Sequence, residues 1–231
     1  MKKVAILQSN YIPWKGYFDL INMVDEFILY DDMQYTKRDW RNRNKIKTPK
    51  GPQWLSIPVE VKGRYFQKIS ETKISDQSWK KKHWGSIVAN YSKTKHFKEY
   101  NDLFEELYLN NSEDHLSLVN YNFIIAINKI LGIQTKIRRS SEFNLVDGQT
   151  EKLIQICTDC NASTYLSGPA AREYFDYDVA KNAEINVEWM DYSGYLEYDQ
   201  RFPPFEHGVT ILDLIFNEGP NAQAYMKSFC N

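Results

Sequence analysis

Apolar runs and amphipathic stretches alternate along most of the chain. Short apolar runs bounded by turn residues predict strands at residues 4–7, 26–30, 54–59, 67–74, 135–139, 163–167 and 186–190. Apolar positions at helical spacing predict helices at residues 15–24, 150–159 and 208–216. Strands that alternate with helices are typical of an α/β fold. We therefore expect a Rossmann-like, mainly parallel sheet whose ligand lies beyond the carboxyl ends of the strands.

The middle of the chain departs from this alternation. Helical patterns follow one another at residues 76–90, 97–109 and 113–131, and Gly132 follows the last of them as a C-cap candidate. No internal repeat or low-complexity linker divides the sequence. We therefore expect one domain over residues 1–231, with a helical insertion at about 76–132.

The composition is that of an ordinary globular protein, with 42% hydrophobic and 26% charged residues. A net charge of −1 argues against a general nucleic-acid coat protein, although residues 37–50 hold seven Lys or Arg against one Asp. Aromatic residues make up 15% of the chain, which suits either core packing or stacking on sugars and bases.

Cysteine usage and apolar stretches indicate the compartment. Cys157 and Cys160 form a CxxC with no second pair, which favours structural thiols over a zinc site, and Cys230 is the third cysteine. The apolar stretch before Gln8 has only four residues, too short for a signal peptide, and no run approaches the roughly 18 apolar residues of a membrane span. We expect a cytoplasmic protein with no membrane span and no metal.

The turn between the first strand and the first helix, QSNYIPWKGY, contains more amide and aromatic side chains than a simple connection needs. Amide side chains can donate to and accept from a polyol or an amide, aromatic rings can cover a sugar or a base, and a glycine lets the helix start approach a ligand. Alternatively, the rings pack beneath the loop and the amides cap it. The candidates are Gln8, Asn10, Tyr11, Trp14, Gly16 and Tyr17.

Two further groups of candidates follow the second predicted strand. Asp31 and Asp32, with Gln34 close behind, form either an Asp-rich turn or a carboxylate site for a hydroxyl, a metal or an amine proton. The basic segment WRNRN is either a solvated loop or a binding site for a pyrophosphate. The second alternative is chemically reasonable because arginine binds phosphate through two parallel hydrogen bonds. Its candidate residues are Trp40, Arg41, Asn42 and Arg43.

Two later segments contain a candidate general base and a candidate anion site. His83, on a predicted helix, is the histidine that we select as general base, although a helix-surface histidine without a role fits equally well. Ser167 and Gly168 precede Pro169 at the start of a predicted helix, which is either an anion site or a capped turn. The chain contains no Walker loop, GxGxxG, HExxH or GxSxG motif.

Several stretches, in this order, resemble the WbqC-like family of bacterial polysaccharide-cluster proteins. The matching stretches are QSNYIPWKGYFDLI at 8–21, LYDDMQYTKRDWRNRNKI at 29–46, WLSIPV at 54–59, KKHWGSI at 81–87, RSSE at 139–142, TYLSG at 164–168 and the tail TILDLIFNEG ending at 219. Family members tend to have proline where this chain has Ser9, and serine where it has Thr210. The resemblance implies a role in O-antigen or related surface-glycan synthesis, with transfer of glycine or another amino acid onto an amino sugar.

Combined with the candidate residues, the resemblance gives a first hypothesis: an amide-forming transferase that acts on a dTDP- or UDP-linked amino sugar. We predict that Arg41 and Arg43 hold the pyrophosphate, that Tyr11 and Trp14 face the sugar or base, and that Asp32 or His83 takes the amine proton. Gln8 and Asn10 would orient the acyl group or the oxyanion.

The donor and two alternative functions stay open. Since no ATP motif is present, the activated donor would be made elsewhere, as an aminoacyl-tRNA or a carrier thioester, and no resident cofactor is expected. The alternatives are a non-catalytic nucleotide-sugar-binding or scaffolding protein, and a glycosyltransferase, for which the Asp31–Asp32 pair lacks DxD spacing.

Overall fold

A five-stranded sheet, parallel throughout, forms the centre of the fold in the computed structural model, which describes residues 1–229. The strands of this described part are β1 (Lys3–Leu7), β2 (Glu26–Leu29), β3 (Arg43–Thr48), β4 (Gly51–Ser56), β5 (Lys136–Arg139), β6 (Thr164–Ser167) and β7 (Asn186–Trp189). The sheet order is β5-β2-β1-β6-β7, and β3 pairs with β4 in a separate antiparallel hairpin. The predicted α/β class with a mainly parallel sheet is confirmed.

Helices cover both faces of the sheet. The α-helices within residues 1–229 are α1 (Lys15–Asn22), α2 (Trp79–Tyr91), α3 (Phe97–Leu109), α4 (Leu116–Leu131), α5 (Thr150–Asp159), α6 (Tyr177–Asn182) and α7 (Ile211–Glu218). None of the helices in this part of the chain combines the length and the apolar character that crossing a membrane requires.

Strand residues alternate between two hydrophobic cores. Ala5 pairs with Phe27 in β2 and Leu166 in β6, and all three belong to the larger core together with side chains of α1–α4 and α7. The neighbouring Ile6 and Tyr165 belong to a smaller core that α5 and α6 cover. Because both faces are buried, the strands read as continuous apolar runs in the sequence.

The helical middle of the chain does not form a separate unit. Helices α2–α4 occupy residues 79–131, but their buried Ile87, Phe104 and Phe123 lie in the same core as Phe18 and Phe27. A helical insertion is therefore not confirmed. Helix α4 does end as predicted, with Gly132 in the left-handed region at φ 70°.

The hairpin and one 3₁₀ turn differ from the predicted elements. Residues 54–59 were predicted as one strand, whereas β4 ends at Ser56 and pairs with β3, a strand that the basic composition of 37–50 concealed. The predicted strand at 67–74 is a 3₁₀ turn, Ile69–Glu71, flanked by isolated bridges. Cys157 and Cys160 are buried free thiols, and Cys230 lies outside the described residues.

Candidate functional site

A cleft of about 570 Å³ opens at the carboxyl ends of β1 and β6. From β1 the chain builds the sheet outward through β2 and β5, and it then returns to the other side of β1 with β6 and β7. This reversal is the topological switch point at which open α/β sheets bind their ligands. The cleft is lined by Ile6, Leu7, Gln8, Tyr30, Met33, Arg41, Gly148, Gln149, Lys152, Leu153, Tyr165, Ser167, Gly168, Ala170, Ala171 and Tyr174.

Arg41 is the best-oriented cation of the cleft. Its Nη2 donates to Gln8 Oε1 at 3.2 Å, its Nη1 donates to Asn10 Oδ1, and Asp39 lies 3.6 Å away. Since the amide oxygens of Gln8 and Asn10 accept from the guanidinium, the NH₂ groups of both side chains are left as donors. The structure thus brings Arg41 together with Gln8 and Asn10, which were predicted as part of a different candidate group, in an arrangement that favours an acceptor-rich ligand.

The loop that carries Gln8 and Asn10 is held by the hairpin. Ile12 has a φ of 41°, a strained conformation for a β-branched residue. Asn44 of β3 donates from Nδ2 to the carbonyl oxygens of Tyr11 at 3.1 Å and Ile12 at 2.6 Å, and Tyr11 N–H donates to Trp40 O at 3.0 Å. These bonds fix the turn that positions Gln8 and Asn10.

Helix α5 contributes to the cleft from the other face of the sheet. Gly148, Gln149 and Lys152 lie at the start of this helix and line the cleft. The free N–H groups of a helix N-terminus favour an anion. Within residues 1–229 the Lys152 ammonium forms no ion pair, so its charge is available to a ligand.

The predicted anion site at Ser167 and Gly168 is part of the same cleft. Gly168 caps a 3₁₀ helix, Pro169–Glu173, rather than an α-helix. Ser167 is buried, and its Oγ accepts from the Tyr165 hydroxyl at 3.1 Å. Tyr30 and the half-exposed Tyr174 add aromatic surface to the lining.

A second pocket, of about 290 Å³, adjoins the Arg41–Asn10 pair and is called the indole pocket below. It is lined by Asn10, Pro13, Trp14, Trp40, Asn44, His207 and Gly208. The Trp14 ring packs against Tyr192 and Tyr195 at centroid distances of 5.4 and 5.3 Å. Gly16 lies beneath that ring, where a Cβ would collide with the indole. The glycine is therefore needed for packing against Trp14 rather than against a ligand.

Asp31 and Asp32 do not line the cleft but a neighbouring pocket, which His115 and Arg139 also line. Asp31 is buried and accepts from Ser9 N–H at 2.8 Å, and burial raises its pKa. Burial also raises the pKa of Asp32, but hydrogen bonds from Lys68 at 2.9 Å and Ser140 at 2.7 Å outweigh that effect and lower the pKa below its ordinary value. An ion-paired carboxylate of this kind is a weak base.

Tyr11, Tyr17 and His83 lie in the larger core or against it rather than at a pocket surface. The Tyr11 hydroxyl lies 2.9 Å from His83 Nδ1 and 2.8 Å from the Tyr108 hydroxyl, and Tyr11 is fully buried. Burial lowers the pKa of His83 to about 4. Tyr17 donates to Gln8 O at 3.0 Å. The sequence pattern could not show whether these polar residues contact a ligand or belong to the core. Each of them occupies a position that faces the core, where a polar side chain and a ligand contact look alike in the sequence.

The other predicted residues belong to the hairpin or to its surroundings. Asn42 donates to Ile57 O at 2.8 Å, and Gln34 donates to Tyr65 O at 2.8 Å. Arg43 lies over the Trp54 ring, with Cζ 4.1 Å from the ring centroid, and does not line the cleft. Arg41 and Arg43 therefore lie on different surfaces. Arg41 is in the loop before β3 and Arg43 is the first residue of β3, so their separation of two residues does not place them on one side.

Sequence reasoning missed Gln149, Lys152 and Tyr174 as cleft residues. A signal for the first two existed, because a helix that follows a parallel strand begins at the carboxyl edge of the sheet. His207 was not among the predicted site residues either. Its position in the indole pocket depends on the fold of residues 190–209, a segment with no regular pattern.

The chain is similar to known proteins over nearly its whole length. The model of the WbqC-like protein family matches residues 8–225. The uncharacterized protein Rv1507c of Mycobacterium tuberculosis is 52% identical to the chain over 227 residues, which cover 98% of each protein. No solved structure matches the chain. The matched ranges contain every residue of the cleft and the indole pocket except, in the family match, Ile6 and Leu7.

Proposed function

This chain belongs to the WbqC-like family, and we propose that it binds a nucleotide-linked sugar in the cleft and acylates the amine of that sugar. One observation carries the binding step: Arg41 and the unpaired Lys152 line the same cleft, next to the N-terminus of α5. Two cations and a helix N-terminus form a site for the two phosphates of a nucleoside diphosphate. The volume of about 570 Å³ lies in the range of small-molecule sites.

The neutral part of the ligand has matching surroundings. The Gln8 and Asn10 NH₂ groups are aimed away from the guanidinium that their oxygens contact, and they can donate to ring hydroxyls or carbonyl oxygens. The half-exposed Tyr174 offers an aromatic face to a base or a sugar, and the edge of the buried Tyr30 lies beside it in the lining. We expect a dTDP- or UDP-linked sugar to fit this combination of donors and rings.

The acylation step would take place where the cleft meets the indole pocket. The amine nitrogen of the sugar attacks the carbonyl carbon of an aminoacyl ester or thioester, and a C–N bond forms. The C–O or C–S bond then breaks, and the departing alcohol or thiol takes up the proton that the amine gives away. Asn10, which lines the indole pocket, can donate to the developing oxyanion.

His207 is the base that this arrangement offers. Asp32 and His83 were predicted for that role, but Asp32 is ion-paired with Lys68 and His83 is buried in the core. His207 lines the indole pocket together with Asn10 and is exposed to solvent. A neutral imidazole there can accept the amine proton.

A non-catalytic nucleotide-sugar-binding protein is the second candidate. The observation that favours it is that, within residues 1–229, no carboxylate and no imidazole lines the cleft itself. A glycosyltransferase has less support, because Asp31 is buried against Ser9 and Asp32 is already paired with Lys68.

Mass spectrometry of the sugar product separates these candidates. A dTDP- or UDP-linked amino sugar is incubated with the protein and with glycine plus ATP, glycyl-tRNA or a glycyl thioester. A gain of one glycyl unit in one reaction, reduced at least about tenfold by His207→Gln, supports the transferase. No gain with any donor, alongside measurable binding of the nucleotide sugar, supports the binding protein instead.

A further inference from the structure

The outer face of the β3–β4 hairpin, together with Trp40 just before it, carries a cluster of two exposed indole rings and two partly buried cations. Trp40 and Trp54 are 42% and 40% exposed, and their ring centroids lie 5.3 Å apart. Arg43 Cζ lies 4.1 Å from the Trp54 centroid, and Lys45 Nζ lies 5.1 Å from it. We call Trp40, Arg43, Lys45 and Trp54 the hairpin face.

The hairpin register explains why Arg43, Lys45 and Trp54 share one surface, and Trp40 packs against them through the Trp54 ring. Lys45 is paired with Trp54 across the two strands, and Arg43 is two residues before Lys45 on the same side of β3. Asn44 and Ile46 point the other way and are buried. From Arg43 to Ile46 the alternation of β3 therefore separates core residues from a basic, aromatic outer surface.

The positive charge of this surface is not neutralised by the protein. Within residues 1–229 neither Arg43 nor Lys45 forms an ion pair with a carboxylate. The exposed residues Lys37, Arg38 and Lys50 extend the positive region, which contrasts with a net charge of −1 for the whole chain. A strongly basic patch on a nearly neutral protein indicates an anionic partner.

The hairpin face leads to the proposed site of reaction. Trp40 belongs to it and also lines the indole pocket, and that pocket reaches Asn10, the partner of Arg41 in the cleft. A polymer lying on the hairpin face could therefore place its end in the indole pocket.

We propose that the hairpin face binds a single-stranded nucleic acid. Bases stack on Trp40 and Trp54, and the phosphates between them contact Arg43 and Lys45. Proteins bind single strands with exposed aromatic rings beside cations that no carboxylate neutralises, because every base has a flat face and every linkage has a charge. An acidic protein partner would use the cations but would leave both rings without a matching surface.

The chemistry of this surface also indicates which class of acyl donor the protein uses, an inference that rests on the proposed function. A nucleic acid that carries an aminoacyl ester on its terminal ribose would present the ester to the indole pocket. A carrier thioester needs no base stacking. The hairpin face therefore favours an aminoacyl-tRNA-like donor.

Fluorescence anisotropy with a labelled ten-nucleotide single-stranded RNA tests the surface. We expect the wild-type protein to bind, and Trp54→Ala to weaken binding at least about fivefold through lost stacking. Arg43→Ala should also weaken binding, and it should reduce the dependence of log affinity on log salt concentration by about 0.7. Trp54→Ala should leave that dependence unchanged, since it removes no charge.

Matched controls come from the opposite face of the sheet. Tyr177→Ala removes a 52% exposed ring and Lys181→Ala removes an exposed cation, both on α6, and each should bind the RNA like the wild type. Trp54→Phe keeps a stacking ring and should restore most of the affinity.

Three results would overturn the proposal: no RNA binding by the wild type, equal affinities for Trp54→Ala and wild type, or equal displacement of the RNA by polyglutamate. The outcome is separable from that of the proposed function. Trp54→Ala leaves the cleft intact, so a titration with UDP or dTDP reports on the cleft whether or not RNA binds.

Discussion

At the scale of single residues, the Gln8–Asn10–Arg41 cluster shows how a few side chains define a ligand's chemistry. A free arginine presents five donors in many directions, whereas this guanidinium is held by two amide oxygens and lies near Asp39. Because the guanidinium is already oriented in the unbound protein, less side-chain entropy is lost when a ligand binds. The cluster therefore provides donors in fixed directions and selects a ligand rich in acceptors.

Asn44 is predicted to stabilise the strained turn that carries this cluster. Asn44→Ala removes both hydrogen bonds to the carbonyl oxygens of Tyr11 and Ile12, and we expect a loss of about 1–3 kcal/mol in the free energy of unfolding. Urea denaturation measures it. Asn186→Ala, an exposed asparagine on the edge strand β7, is the control and should change stability by less than about 0.5 kcal/mol.

His83 predicts a pH dependence of stability. Burial lowers its pKa from 6.5 to about 4, so between these values the unfolded chain holds a proton that the folded chain lacks. Stability from this group is therefore complete above pH 6.5 and falls as the pH falls toward 4, by up to about 3 kcal/mol.

Comparison with His83→Gln isolates that contribution from the other titrating groups. Urea denaturation at a series of pH values should show a steeper loss between pH 6.5 and about 4 for the wild type than for the variant. Parallel curves for the two proteins would contradict the prediction that this histidine stays neutral in the folded core.

At the scale of elements, the start of α1 and the wall of the indole pocket depend on each other. The Trp14 ring lies over Gly16, so a side chain there must displace the ring from Tyr192 and Tyr195. The backbone of α1 thus approaches an indole that lines the pocket on its other side.

Gly16→Ala is predicted to destabilise the protein by about 1–3 kcal/mol, since it overpacks this contact. Gly85 in α2 is the matched control. A Cβ at Gly85 would meet no atom within 4 Å, so Gly85→Ala should raise stability by about 0.5–1 kcal/mol through helix propensity. Thermal unfolding followed by circular dichroism measures both changes. Destabilisation by Gly85→Ala, or stabilisation by Gly16→Ala, would contradict the packing described above.

Most of the elements, but only part of the site, could be predicted from the sequence. Buried parallel strands such as β1 and β2 are apolar runs, and α3 and α5 have clear periodicity, so local patterns suffice for them. Strand β3 was missed because its outward positions hold cations and only Ile46 is apolar in Arg43–Thr48. Gln8, Asn10 and Arg41 were predicted, but their contact depends on a turn between distant segments, which no local pattern encodes.

At the scale of the whole molecule, a buried carboxylate joins the C-terminal segment to the first helix. Asp19 of α1 is fully buried and accepts from the Tyr195 hydroxyl at 2.6 Å, from Lys227 N–H at 3.0 Å and from Ser228 N–H at 2.9 Å. Residues from both ends of the chain are thereby packed against the elements that position the indole pocket.

Asp19→Asn should cost about 2–4 kcal/mol in the free energy of unfolding, because an amide can accept through only one of its two polar atoms. Asp147→Asn, at an exposed site, should be neutral within about 0.5 kcal/mol. Guanidinium denaturation gives both values, and equal stabilities for the two variants would show that the Asp19 network does not hold the C-terminal segment.

The cleft at the switch point of the sheet is proposed to hold a nucleoside diphosphate through Arg41. Isothermal titration of UDP and dTDP into the wild type, Arg41→Ala and Arg43→Ala tests it most directly. We predict that Arg41→Ala weakens binding about 10–100-fold, the effect of removing a charge-assisted hydrogen bond, while Arg43→Ala binds within about twofold of the wild type. Equal binding by wild type and Arg41→Ala, or no binding by the wild type, would contradict the account.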